Sequence, residues 1–136
     1  MVYEKRITNA GKDEILKLAF LNDQGNAFSY CALGLNDDKL ASTTEDDTAF
    51  NEFSGYQYHR VQIKQEGDII NNTLKASCIF EDDNYNTDTG EEIGEIALCN
   101  NATGEDNTTY FAFSQVPNIK KTGSVSLKYT WVIHIE

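Results

Sequence analysis

The stretch Ser124-Val-Ser-Leu-Lys-Tyr-Thr-Trp-Val-Ile-His-Ile-Glu136 decides the fold. Every second residue, Val125, Leu127, Tyr129, Trp131, Ile133 and Ile135, is large and apolar, and Ser126, Lys128, Thr130, His134 and Glu136 alternate with them. A period of two marks a β-strand with one face in a core and one in water, because successive side chains leave a pleated backbone on opposite sides. At roughly 3.3 Å per residue the run would reach about 40 Å, enough to cross a small sheet and pair along most of its length. With the chain's single Trp at its middle, it reads as the spine of the core. Its two faces, one greasy and one solvated, carry no chemistry.

Working back from that strand, Pro117 to Gly123 is a connection, and Tyr110 to Val116 is the preceding strand, ended by the chain's only proline. Ile93 to Cys99 is a further strand with Ile96 and Leu98 toward one side, and in Leu74 to Phe80 the residues Leu74, Ala76, Cys78 and Phe80 alternate with Lys75 and Ser77. Tyr56 to Gln65 has strand character around Tyr58, Val61 and Ile63, with Glu66-Gly67-Asp68 as the turn that follows. Phe28 to Leu33, closed by Gly34, is the first core strand. Between these lie three polar loops, Asn36 to Asp47, Glu81 to Glu92 and Asn100 to Thr109. Near the start, Thr8-Asn9-Ala10-Gly11 offers a cap for one amphipathic helix over about residues 10–21, with Ile15, Leu18 and Leu21 or Ile15 and Ala19 on its apolar face. The sum predicts a mainly β chain: an antiparallel β-sandwich of about six or seven strands with one short N-terminal α-helix, in a single domain over residues 1–136.

The 136 residues carry 11 basic and 22 acidic side chains, a formal net charge of -11, which argues against nucleic acid as a partner. Met1 to Asn9 mixes Glu4, Lys5 and Arg6 with Val2, Tyr3 and Ile7, so it lacks the apolar core of a signal peptide. No later run reaches membrane-spanning length, and the expectation is a cytoplasmic chain without a membrane partner. Cys31, Cys78 and Cys99 are widely spaced, without a Cys-x-x-Cys pair or a nearby His, and sit among apolar or small neighbours. They read as buried thiols, not as a metal site or a disulfide framework.

A search for catalytic groups assigns none. His59 and His134 both fall at strand positions that read as surface or rim, and no Gly-x-Ser-x-Gly elbow or phosphate-cradling glycine pattern occurs. Asp37, Asp38, Glu45, Asp46 and Asp47 lack the spacing that wraps a calcium ion, and Glu91, Glu92 and Glu95 read as ordinary carboxylates of an acidic chain. The expectation is therefore no enzyme, no cofactor and no metal. Aromatics make up 11% of the chain, and Tyr56, Tyr58, Tyr85 and Tyr110 lie next to loops. Packing is the simpler reading of them. Tyr85 and Tyr110 are the candidates for contact with a partner or a glycan.

Several short motifs, in order, resemble the amino-terminal domain of phage tail-collar fibre proteins and the short stand-alone tail proteins related to it. Ile7-Thr8-Asn9-Ala10-Gly11-Lys12 is similar to an opening Leu-Thr-x-x-Gly-Lys element before a short helix. Tyr30-Cys31-Ala32-Leu33-Gly34 resembles a strand ending in Ala-Val/Leu-Gly. Thr48 to Glu52 resembles a Thr-x-Leu-x-Asn-Glu neighbourhood, and Ile93 to Leu98 an Ile-x-Glu-Val-Gly-Leu strand. Ile119-Lys120-Lys121 with the alternating run through Trp131 is similar to the family's closing turn and Trp-containing strand. The chain departs from the pattern at Ala97, where Gly is usual, at Cys99, where Phe is common, and at Gly55, where an Arg is expected after Glu52 and Arg60 comes instead. The resemblance implies a virion structural protein, a tail, baseplate or neck component that anchors or forms part of a fibre. Its implied partners are other phage virion proteins, its implied location is the virion and, during assembly, the host cytoplasm, and its implied assembly is the homotrimer on which such fibres are built. A loop-based glycan-binding module on the virion is the alternative.

Overall fold

The computed structural model describes residues 5–21, 27–35, 52–53, 57–84, 92–103 and 108–136. Among these, the chain is mainly β: two antiparallel sheets and one short helix, a β-sandwich as the alternation predicts. In chain order the elements are β1 (Lys5–Ile7), α1 (Asn9–Phe20), β2 (Tyr30–Leu35), β3 (Val61–Gln62), β4 (Lys64–Gln65), β5 (Thr73–Phe80), β6 (Ile93–Cys99), β7 (Tyr110–Ile119) and β8 (Leu127–His134). The larger sheet runs β1-β7-β6-β2-β3 and the smaller β4-β5-β8. β3 and β4 are two halves of one run broken at Ile63. The first half pairs with β2 in one sheet and the second with β5 in the other, so this run crosses between the sheets and closes one side of the sandwich.

β8 confirms its alternation: Leu127 and Trp131 are buried, Tyr129 and Ile133 half-buried, and Lys128, Thr130, Val132 and His134 exposed. It pairs with β5 from Thr73↔His134 to Phe80↔Leu127 without a break. The spine, however, is β6. β8 stands at the edge of the smaller sheet, whereas β6 is the central strand of the larger and is buried from end to end. A period of two reports one covered face, and a strand covered on both faces shows no such period. β8 reaches the main core through Trp131, whose Nε1 donates to Cys31 Sγ of β2 at 3.2 Å across the gap between sheets.

The core joins Cys31 and Leu33 of β2, Cys78 and Phe80 of β5, Ile93, Ile96 and Leu98 of β6, Phe111 and Val116 of β7, and Leu127 and Trp131 of β8, with Phe53 added from between β2 and β3. All three cysteines are buried free thiols, as their neighbours suggested. On the opposite face of the larger sheet, Ala97 and Phe113 form a small second cluster with Tyr110.

Several strand limits differ from expectation: β2 begins at Tyr30 and runs on through Gly34 to Leu35, and β8 spans Leu127–His134 instead of Ser124 to Glu136, leaving Ile135 exposed beyond it. β7 does not stop before Pro117 but continues to Ile119, because its pairing with β6 is irregular there. Glu95↔Gln115 and Ile93↔Ile119 leave two extra residues on β7, and the proline, which has no N–H to give, sits in that bulge. β1, which has no periodicity of its own, is held by its pairing with Ala112–Ser114 of β7. The acidic loop at residues 36–47 lies outside the described residues, as do parts of the other two loops.

Helix α1 starts where the cap was read. Thr8 is extended, its Oγ1 accepts from Gly11 N at 2.9 Å, and its hydroxyl donates to the Tyr110 carbonyl, which stitches the helix start to β7. The expected buried apolar face does not form. Only Gly11 and Glu14 are buried, while Ile15, Leu16, Leu18, Phe20 and Leu21 are exposed. The contact with the sheet is made in the first turn, where Gly11 presses on β7 so closely that a Cβ there would stand 2.6 Å from Phe111 Cα. The helix is anchored by its start, and its later turns keep their apolar side chains in solvent.

Candidate functional site

Of the two aromatic candidates, Tyr85 lies outside the described residues, and Tyr110 sits at the head of β7, half-buried. Its ring packs against Phe113 with centroids 5.4 Å apart, and the Arg60 guanidinium carbon lies 5.9 Å from its centroid. Its hydroxyl accepts from Arg60 Nη2 at 3.3 Å, and burial raises its pKa. Tyr110 is thus part of a polar network centred on an arginine that carried no assignment in the sequence reading.

Arg60, buried just before β3, grips Glu52 with two parallel bonds, Nε to Oε2 at 2.9 Å and Nη2 to Oε1 at 2.8 Å. Its Nη1 donates to the carbonyls of Asn101 and Thr103 at 3.0 and 2.7 Å and to Thr108 Oγ1 at 3.3 Å, so it holds both ends of the β6–β7 connection. Such fork-to-carboxylate geometry adds direction to charge. Glu52 is placed by an antiparallel bridge to Gly34, and the adjacent Phe53 N donates to Leu33 O at 2.7 Å. Its Oε2 also accepts from the Tyr58 hydroxyl at 2.7 Å, and that hydroxyl accepts from Leu33 N at 3.0 Å. Burial first, and then the neighbouring carboxylate, pushes the Tyr58 pKa well up.

Every nitrogen of the guanidinium and both oxygens of the carboxylate have partners within the chain. The network can tie the loop after β6 to the strand pair β2–β3, and its groups are already engaged for that task. In the sequence only the resemblance draws attention to Arg60, as the arginine that comes later than the one it leads one to expect after Glu52, and the fold brings Arg60 and Glu52 together.

Elsewhere, His134 Nδ1 lies 2.7 Å from Thr73 Oγ1 on the exposed sheet edge, and the His59 backbone is held by the Asn84 side chain at 3.1 and 2.9 Å. Among the described residues, no three His, Cys, Asp or Glu side chains converge as a metal site would require, and no helix is long and apolar enough to cross a membrane.

What the described surface offers instead is apolar. Besides α1, where Phe20 is 78% exposed, Ile69, Ile70, Val132 and Ile135 project from the smaller sheet and its turns, Ile135 at 71%. Ile69, Leu74, Ile133 and Ile135, with Asn72 and Glu136, line an open groove of about 490 Å³ at one end of the β5–β8 pair. Exposed apolar patches of this kind mark surfaces that contact a protein, a membrane or a ligand.

Fold and surface together define a two-sheet antiparallel β-sandwich with an outward apolar helix. Compared with protein-family models, curated proteins and solved structures, the chain finds no match.

Proposed function

We propose that this chain is a bacteriophage virion structural protein, a tail, baseplate or neck component that anchors or forms part of a fibre. Two things support the reading. The colinear motifs from Ile7 to Trp131 resemble the tail-collar attachment domain, and the chain has a surface suited to assembly. The observation that carries it is α1, a helix fixed to the sandwich at its first turn whose Ile15, Leu16, Leu18, Phe20 and Leu21 face solvent. A free protein gains nothing from five exposed apolar side chains on one helix. A protein that docks gains the free energy of covering them, about 25 cal/mol for each Å².

On this reading the partners are other virion proteins, the expected assembly is a homotrimer, and the chain resides in the host cytoplasm until it joins the particle. It acts as a scaffold and catalyses no reaction. The glycan-binding alternative has less support, because the Tyr110 hydroxyl and ring are engaged by Arg60 and Phe113.

The test is particle composition. Purified virions from the phage that encodes the chain are expected to contain it by mass spectrometry. A Leu16→Glu/Phe20→Glu variant that melts like the parent is expected to be depleted from particles at least tenfold. Particles that lack the parent protein, or that take up the variant normally, overturn the reading.

A further inference from the structure

Among the described residues the two sheets have four edges, and three of them are short: β1 has three residues, β3 two and β4 two. The fourth is β8, with eight residues, no proline, and a ladder to β5 that runs without a bulge. Shortness, bulges and prolines are the usual means of blunting an open edge, and β8 has none of them. Ile135 N donates to Asn72 O on the β5 side. By the alternation of an antiparallel ladder, the N–H and C=O groups of Lys128, Thr130, Val132 and His134 therefore point away from β5. Among the described residues no backbone group bonds to them from that side. Along the same strand, β7 and β8 part to leave a cleft of about 360 Å³, lined by Val116 and Pro117 of β7 and by Leu127, Lys128, Tyr129 and Thr130 of β8.

We propose that the free edge of β8 pairs with the β8 edge of a second copy, antiparallel across a two-fold axis at Val132, so that the smaller sheets of two chains join into one. The edge calls for an extended strand, because a row of outward N–H and C=O groups at strand spacing is matched by a second extended backbone. The sequence of the edge names that strand as another β8. With Val132 opposite its own copy, Lys128 falls opposite Glu136 and Thr130 opposite His134 on the exposed face. On the other face Trp131 falls opposite Ile133 and Tyr129 opposite Ile135. The edge is thus complementary to itself in charge and in apolar character. Lys128 bridges to Glu66 of its own chain at 3.4 Å, both side chains being exposed, and an ammonium has donors for a second carboxylate. Ile135, 71% exposed beyond the end of β8, is brought over Tyr129 of the second copy, at the mouth of the cleft. β8 itself carries no acid in a chain of net charge -11, and Glu136 just beyond it is the acid the pairing uses. The contact does not involve α1, on which the assembly reading rests, and its two-fold symmetry differs from the three-fold symmetry expected of a fibre.

Light scattering across a concentration series is expected to show the parent protein passing from the mass of one chain to that of two. Val132→Lys sets like charges opposite each other at the axis and is expected to stay monomeric. Because Val132 is exposed, the circular-dichroism melt of this variant in dilute solution is expected to overlay the parent's. Register is read by cross-linking with glutathione disulfide, the native thiols being buried. In the proposed pair the two copies of residue 132 stand about 5.5 Å apart between Cα atoms, within reach of a disulfide. The two copies of residue 130 are offset by four residues, roughly 13 Å along the strand. Val132→Cys is therefore expected to give a disulfide-joined dimer several-fold faster than Thr130→Cys. A parent that is monomeric at every concentration, or that forms a trimer without a dimer, overturns the β8 pairing. So does a Val132→Lys variant that still dimerises, or a Thr130→Cys product that forms as readily as that of Val132→Cys. The assembly reading is judged separately, by particle composition, and stands or falls whichever way these results come out.

Discussion

Arg60 commits its whole donor set inside the chain, to Glu52, two loop carbonyls, Thr108 and the Tyr110 hydroxyl. Removing one partner of such a buried pair leaves the other charged and unmatched, which costs roughly 3–5 kcal/mol. Arg60→Leu is therefore expected to lower the unfolding free energy by about that amount in urea titrations. Adding Glu52→Leu is expected to recover part of the loss, because the orphaned carboxylate goes with it. Single losses that simply add would mean that the two side chains do not act as a pair. Cys99 offers a pH test in the same network. Burial raises its thiol from 9.0 to about 11. Between those values the unfolded chain has released the proton and the folded chain retains it, so the stability this thiol contributes is full below pH 9 and falls as pH rises toward 11. Cys99→Ala is expected to flatten part of that alkaline loss, and the native thiols are expected to ignore a thiol reagent at about pH 8 until the protein unfolds.

At the scale of elements, α1 shows a helix whose ends and faces are set by different causes. Its start has a local cause, the Thr8 cap that Thr8-Asn9-Ala10-Gly11 offered, and a long-range bond from Thr8 N to Phe111 O at 2.9 Å fastens that cap to β7. Its lack of a buried apolar face is tertiary: the first turn meets the sheet at Gly11 and Phe111, and the apolar side chains of the later turns are exposed. Gly11→Ala places a methyl 2.6 Å from a backbone carbon that cannot turn aside, and it is expected to cost about 1–3 kcal/mol in thermal melts by levering the helix off β7. A melt unchanged by this substitution would mean that the helix is held elsewhere. β7 shows the same division of causes, since Pro117 read as a stop and is accommodated by the bulge opposite β6.

Across the whole molecule, stability rests on the joint between the two sheets. Trp131 of β8 and Phe80 of β5 meet Cys31 and Leu33 of β2 in one core, and Trp131 bonds to Cys31 across it. Trp131→Ala is expected to cost roughly 3–5 kcal/mol, and Val132→Ala, on the exposed face one residue on, under about 1 kcal/mol. Equal effects from both in denaturant titrations would contradict the placement of β8. The run Val61–Gln65 joins the sheets on one side, so loss of the β5–β8 packing is expected to unfold both sheets in one transition, with tryptophan fluorescence and circular dichroism coincident.

Taken alone, the sequence determined the class of the fold, the position of most strands, the helix start and the burial of the three thiols. Alternation, capping and small apolar neighbours are properties of a few adjacent residues, and a pleated or helical backbone translates them directly into structure. Tertiary structure alone decided that β6 and not β8 lies at the centre, that β1 exists, that Arg60 closes on Glu52, and that α1 keeps its apolar side chains outside. Each of these depends on which segments meet across long stretches of chain, and a contact of that kind leaves no periodicity in either segment from which it could be read.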